Sequence, residues 1–414
     1  MRAHLFVLVY AACLPLVPLV PFAGALLWAW VSLMYPQTLT YGLVPFPVAA
    51  PVAALTLGCL VLLRERLVPP ATATSWAMAA LALCCAVAQI AAEDRALGAP
   101  RWDTIWKGLL MALVTLAMLR SRLRIDALVW VIALSLGFHG LKGGAFALVT
   151  GGAYRVVGAP GTIIGDNNHF AVALAMAIPP MVYLALHAAR GAIRLGCWLL
   201  TGCAIVAALF TYSRGGALAL GVALVLVGCR GARGLGAGAL AICVALVAVG
   251  LAPEALQSRL GTIDGFAQDA SAQGRLAIWR VALALAWERP LTGFGFHATT
   301  LPDLVHRIDP GVLPRAVHNS VLEVLVEAGL PACVAHLWLI AATAAALRRV
   351  RRDARGSPEW RWAADLAAML QASLGAYLVG GFFISFAFYD GWWFVAILAA
   401  ALRQLQRSTA VAAR

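Results

Sequence analysis

Charge is scarce in this sequence: only 12% of its 414 residues are Asp, Glu, Lys or Arg, against 63% hydrophobic. So little charge excludes an ordinary soluble surface, and a mean hydropathy of +0.87 points to lipid as the solvent. There is no CxxC pair and no His/Cys cluster at zinc spacing, which speaks against a metal site. The nine cysteines lie inside apolar runs and not in polar loops, so we expect buried thiols and no disulfides. No small-residue cleavage site follows the apolar N-terminus, so the first run is expected to stay as a span. Barrel strands would alternate apolar with polar residues. Leu218 to Val227 is apolar on every face, as a helix is.

A spanning helix needs roughly 20 mainly apolar residues. Such runs fall near residues 5–34, 46–63, 75–92, 104–119, 126–149, 169–187, 194–212, 215–229, 235–251, 319–347, 364–384 and 387–403. The sequence thus predicts an all-α integral membrane protein of about twelve transmembrane helices. Pro15, Pro18 and Pro21 are expected to break or kink the first run. The chain divides into residues 1–251 with nine spans, a hydrophilic segment at 252–318, and residues 319–414 with three spans and a tail.

Positive charge is uneven between alternate loops. One set holds Arg64, Arg66, Arg120, Arg122, Arg124, Arg190, Arg194, Arg230, Arg233 and the cluster from Arg348 to Arg361. With Arg2 and the C-terminal Arg403, Arg407 and Arg414 it accounts for 19 of the 31 Lys and Arg residues. The positive-inside rule makes that face, and both termini, cytoplasmic. The net charge of +13 is then explained by topology and anionic lipid headgroups, without nucleic acid.

Residues 252–318 fall on the outer face and are the best place for chemistry. Leu276, Trp279, Leu283 and Trp287 repeat as an amphipathic helix lying on the membrane or the bundle. Pro290, Gly293 and Gly295 force a turn, and Pro302, Pro310 and Pro314 interrupt the rest of the segment.

A few polar residues stand out at this face. Arg214 lies between two apolar runs with almost no loop, where it either snorkels to headgroups or meets an anionic ligand. Arg275 and Arg280, five positions apart, point in different directions on one helix, so one of them is expected to meet a given ligand. Arginine suits a pyrophosphate because its planar fork donates two parallel hydrogen bonds. His318, between Arg315 and Asn319, can take a proton from a hydroxyl if its pKa stays near the ordinary ~6.5. Glu323 and Glu327, one and two turns on, could orient it, neutralise the arginines or cap the helix. In Gly165-Asp166-Asn167-Asn168-His169, Asp166 or Asn167 reads as a helix cap. Asp390, among the aromatics Phe388, Tyr389, Trp392 and Trp393, is a candidate partner for an outer arginine.

The order of these features resembles the O-antigen ligase and polymerase superfamily. The resemblance runs from Ser213-Arg214-Gly215 through Gly274-Arg275 and Trp279 to Arg289-Pro290-Leu291-Thr292-Gly293-Phe294-Gly295. It ends on His318-Asn319 with Glu323, Glu327, Gly329 and Leu330, and covers about residues 150–340. It implies a periplasmic site in the bacterial inner membrane that moves glycan from undecaprenyl pyrophosphate to lipid A-core, without metal, nucleotide or other cofactor. It also implies that His318 is the essential histidine, Arg214 the mid-chain arginine, Arg275 or Arg280 the loop arginine and Asp390 a late acidic residue. Asp166-Asn167-Asn168 is similar to ligase-like proteins found beside exopolysaccharide clusters.

Two alternatives stand beside this. One keeps the chemistry but gives the glycan to a growing chain, an exopolysaccharide or a protein. The other is a transporter, which twelve spans would suit. However, no repeat relates the two halves, and the polar residues gather at one face and not at mid-membrane.

Overall fold

The prolines shape the start of the chain as expected, because a residue with no N–H and a fixed φ is disfavoured in a helix interior. In the computed structural model, which describes residues 2–40, 47–63, 69–229 and 270–412, the first apolar run is three helices. These are α1 (Arg2–Cys13), α2 (Leu16–Leu19) and α3 (Pro21–Met34), with Pro15 before α2 and Pro21 opening α3. There follow α4 (Ala49–Leu62), α5 (Ala73–Ile90), α6 (Arg95–Met118), α7 (Arg122–Val149), α8 (Asn167–His187), α9 (Gly191–Leu209) and α10 (Arg214–Gly228). After the next stretch come α11 (Ala270–Glu288), α12 (Pro302–Ile308), α13 (Ser320–Asp353), α14 (Arg361–Gly381) and α15 (Asp390–Ala412). The expected span at 235–251, residues 252–269 of the outer segment, and Arg64, Arg66, Arg230 and Arg233 lie outside the described residues.

Side-chain caps set many of the helix starts. Thr72, Asp94, Ser121, Asp166, Ser213 and Asn319 each accept a first-turn N–H of α5, α6, α7, α8, α10 and α13, groups that otherwise have no partner in the helix.

Among the described residues, six helices, α5, α7, α8, α9, α13 and α14, are long and apolar enough to cross a membrane by length and composition. That is fewer than the twelve expected spans. The difference arises where α3, α4 and α10 are apolar but shorter, where α6 and α15 carry charged residues, and at 235–251, which lies outside the described residues. The centre of the bundle is α8, with 89% of its most apolar window buried against α7, α9, α10 and α14. Outward faces carry Leu62, Leu83, Val149, Leu199 and Val334, all exposed. Apolar surface of this extent, on helices whose backbone groups are satisfied internally, suits lipid and not water. The chain is a multi-pass membrane protein.

The described part of the outer segment has a core of its own. Ile278, Val281, Ala282 and Leu285 of α11 pack with Phe294, Leu304, Val305, Val312, Val317 and Val326. Leu283 and Trp287 point away from this core, at 43% and 82% exposure, as the apolar face of a helix lying on a membrane would. α11 is apolar on both sides, so helical spacing by itself does not say which side is inward.

Gly329 breaks α13 with φ 80°, and Pro331 follows it. The break strands two carbonyls, because the Leu330 N–H turns to the Pro290 carbonyl at 2.7 Å and Pro331 has no N–H to offer Glu327. The turn at 290–295 replaces both donors: Phe294 N–H reaches the Val326 carbonyl at 3.0 Å and Gly295 N–H the Glu327 carbonyl at 2.9 Å. A Cβ on Gly293 would lie 2.6 Å from the Glu327 backbone, and one on Gly329 2.6 Å from that of Leu291. Arg289-Pro290-Leu291-Thr292-Gly293-Phe294-Gly295 is therefore the piece that docks the outer segment into the broken helix, with Arg289 paired to Glu93 at 2.7 Å.

Candidate active site

The segment from Phe382 to Tyr389, between α14 and α15, lies across the starts of α8 and α13. Its backbone finds side-chain partners, as buried peptide groups must. The Asn319 amide donates to the Phe382 carbonyl at 3.2 Å, the Ser320 hydroxyl to the Ile384 carbonyl at 3.0 Å, and Phe386 N–H to the Ser320 hydroxyl at 3.0 Å. Ser385 serves two histidines: its hydroxyl accepts from His318 N–H at 3.0 Å, and its carbonyl faces His169 Nε2 at 3.0 Å. His318 itself has φ 54°, a left-handed backbone that a non-glycine residue keeps only where its surroundings impose it.

Around the His318 ring the charge is mostly positive. Burial first, then Arg275, His169 and Arg315, push its pKa down to about 4, with Asp166 acting weakly the other way. This differs from the ordinary value expected from the sequence, and the cause is desolvation among cations. At neutral pH the imidazole is unprotonated, and its Nδ1 is buried with no hydrogen-bond partner among the described residues.

Arg275 and Arg280 part company, as their spacing requires. Half-buried Arg275 acts on His318. Exposed Arg280 faces a separate cavity of about 390 Å³ with Arg315, Gln273 and Leu313. Arg214 is exposed in the first turn of α10, just after the capping residue Ser213, whose hydroxyl accepts from Gly216 N–H at 3.1 Å. That hydroxyl also donates to the Asn168 side-chain oxygen at 2.7 Å, and the Asn167 amide donates to the Thr211 carbonyl at 2.9 Å.

Asp166 is the cap of α8, accepting from Asn168 N–H at 2.7 Å and His169 N–H at 3.2 Å, and its carboxylate pairs with the His169 ring. Burial would raise its pKa, but the His169 ring together with these two backbone bonds outweighs that and holds it below the ordinary carboxylate value.

Glu323 and Glu327 are buried, at 3% and 6% exposure, and neither is brought to His318. Glu323 accepts from Ala387 N–H at 3.1 Å and pairs with Arg101 at 3.4 Å. Glu327 accepts from His297 N–H at 2.9 Å. Burial, then Arg101, lower the pKa of His297. Asp390 opens α15 and bonds Ser32, with Arg101 as a weaker electrostatic neighbour.

Sequence reasoning passes over Arg101 and Ser385. Arg101 shares the first turns of α6 with Arg95, Asp103 and Lys107, which hides it, and Ser385 is the lone serine in the aromatic run 382–389. Among the described residues no group of three or more His, Cys, Asp or Glu side chains gathers in a way that could hold a metal ion.

The comparisons with known proteins divide along the chain. The family model described as O-antigen ligase matches residues 199–337, from α9 through the outer segment and His318 into α13. A family of unknown function (DUF5935) matches residues 1–189, which include Asp166 to His169. No curated protein matches the chain. Residues 199–337, which hold Arg214, Arg275, the 289–295 turn and His318 in that order along the sequence, are thus similar to the O-antigen ligase family.

Proposed function

We propose that the protein transfers O-antigen glycan from undecaprenyl pyrophosphate to a hydroxyl of lipid A-core, at the periplasmic face of a bacterial inner membrane. Both termini lie in the cytoplasm, and membrane lipids cover the exposed apolar faces. The observation that carries this reading is the unprotonated, incompletely bonded His318 ring among Arg275, Arg315 and His169.

Each group then has a task. The acceptor hydroxyl gives its proton to His318 as its oxygen bonds to the anomeric carbon. The bond from that carbon to pyrophosphate breaks, and the leaving group keeps the electron pair. Arg214 and Arg275 stabilise the growing negative charge with preorganised donors, so no metal is called on. One displacement inverts the anomeric centre. A bound diphosphate also offsets the cations that depress His318, so its basicity rises when the donor is present. Asn319, Glu323, Glu327 and Asp390 keep the surrounding helices in place.

Purified protein in nanodiscs, given undecaprenyl-linked glycan, lipid A-core and EDTA, should form glycosylated lipid A-core. Product only with a polysaccharide or protein acceptor would move the acceptor assignment, and no product with any acceptor would end this reading. Cysteines at Asp303 and Glu359 should label with an impermeant reagent from opposite sides; labelling of both from outside would overturn the topology.

A further inference from the structure

The Asp166 to His169 stretch does more than cap α8. Asn168 accepts the Ser213 hydroxyl that caps the Arg214 helix, at 2.7 Å. One residue on, His169 presents Nε2 to the Ser385 carbonyl, while its Nδ1 pairs with the Asp166 carboxylate. Ser385 in turn holds the His318 N–H through its hydroxyl. His169 thus lies between the Asp166 carboxylate and the Ser385 carbonyl, and the edge of its ring also packs on Phe386 at 5.4 Å. Adjacent residues on one helix start therefore reach the two separate pieces of the proposed site. The stretch lies in the segment matched by the family of unknown function, whereas the residues it steadies, Arg214 and His318, lie in the O-antigen ligase match.

We propose that Asn168 and His169 are positioning residues, Asn168 setting the start of the Arg214 helix and His169, through Ser385, setting the backbone of His318. The inference rests on glycan transfer at this site. It assigns different kinetic consequences to two neighbouring residues, which a general role in stability would not.

The test measures donor affinity, using undecaprenyl pyrophosphate, and the transfer rate at saturating donor in full-length protein. Asn168→Ala should weaken donor affinity on the order of tenfold through Arg214. His169→Ala should lower the saturated rate on the order of 10- to 100-fold, the cost of a misplaced reacting group, with donor affinity retained. Ser385→Ala should match His169→Ala, the double variant should lose no more than either single one, and Ser385→Thr, which keeps the hydroxyl, should recover the rate. If His169→Ala fails to fold, the Ser385→Ala and Ser385→Thr pair carries the test. Loss of donor affinity in His169→Ala would make it a donor contact and overturn the positioning role, as would undisturbed rates in both His169→Ala and Ser385→Ala. Wild-type protein inert toward donor and every acceptor would overturn the transfer reading along with it.

Discussion

Two polar clusters flank the 382–389 segment, and they are built on opposite principles. On one side His318, His169, Arg275 and Arg315 gather with Asp166 as the nearby acid. On the other, Arg101 meets Glu323, Glu327 accepts a backbone N–H, and Asp390 opens a helix beside them. The acidic side draws its partners from within the fold, Arg101 and backbone N–H groups, although Glu327 Oε2 is buried without a hydrogen-bond partner among the described residues. The basic side brings Arg275 and Arg315 near a His318 ring whose buried Nδ1 has no hydrogen-bond partner among the described residues, a setting that favours an anion.

Three experiments would break or sharpen that contrast. The largest effect is expected at the imidazole: His318→Ala should cost about 100- to 10,000-fold in transfer, roughly 3 to 5.5 kcal/mol, and leave donor affinity and thermal stability intact. Near-normal transfer would remove the base from the mechanism. Next is the acidic side, where Arg101→Ala strips the partner from a nearly buried carboxylate, with side-chain exposures of 18% and 5% for the pair. It should cost about 3 to 5 kcal/mol of stability by thermal unfolding in detergent, while the folded fraction still binds donor. A stable Arg101→Ala that binds donor poorly would erase the distinction between the two sides.

The smallest effect is a displacement of a pH limb. A base that must be unprotonated fails as pH drops through its pKa, so kcat/KM should hold well below pH 6.5 and fall near the value of about 4 set by burial and Arg275. Arg275→Gln removes a like charge, which raises that pKa and moves the acid limb upward. An acid limb near 6.5 in the wild type, unmoved by Arg275→Gln, would mean that His318 does not sit among these cations.

Much of this was legible in the sequence, for identifiable reasons. Helix existence followed from apolar length, the early breaks from Pro15 and Pro21, and the opposite directions of Arg275 and Arg280 from their spacing of five. Asp166 as a cap followed from local chemistry. Which face of α11 meets the bundle was not legible, because Leu276, Trp279, Leu283 and Trp287 form as good a stripe as the buried Ile278, Val281, Ala282 and Leu285. The partners of Glu323 and Glu327 were not legible at all, since Arg101 and Ala387 for the first and His297 for the second lie far away in the chain. Ser385 was missed for the same reason: its importance comes from meeting residues 169 and 318, a contact that only the folded bundle makes.

The most direct test of the central claim is the affinity for undecaprenyl pyrophosphate of the wild type and of Arg275→Gln, Arg214→Lys and Arg101→Ala, each checked for folding. An anion completing the basic cluster predicts weaker binding for Arg275→Gln and, because lysine lacks the planar fork, for Arg214→Lys, by about 10- to 100-fold where a charged hydrogen bond is lost, with Arg101→Ala binding as the wild type does. Equal affinity in all four proteins, or a loss confined to Arg101→Ala, would contradict the account.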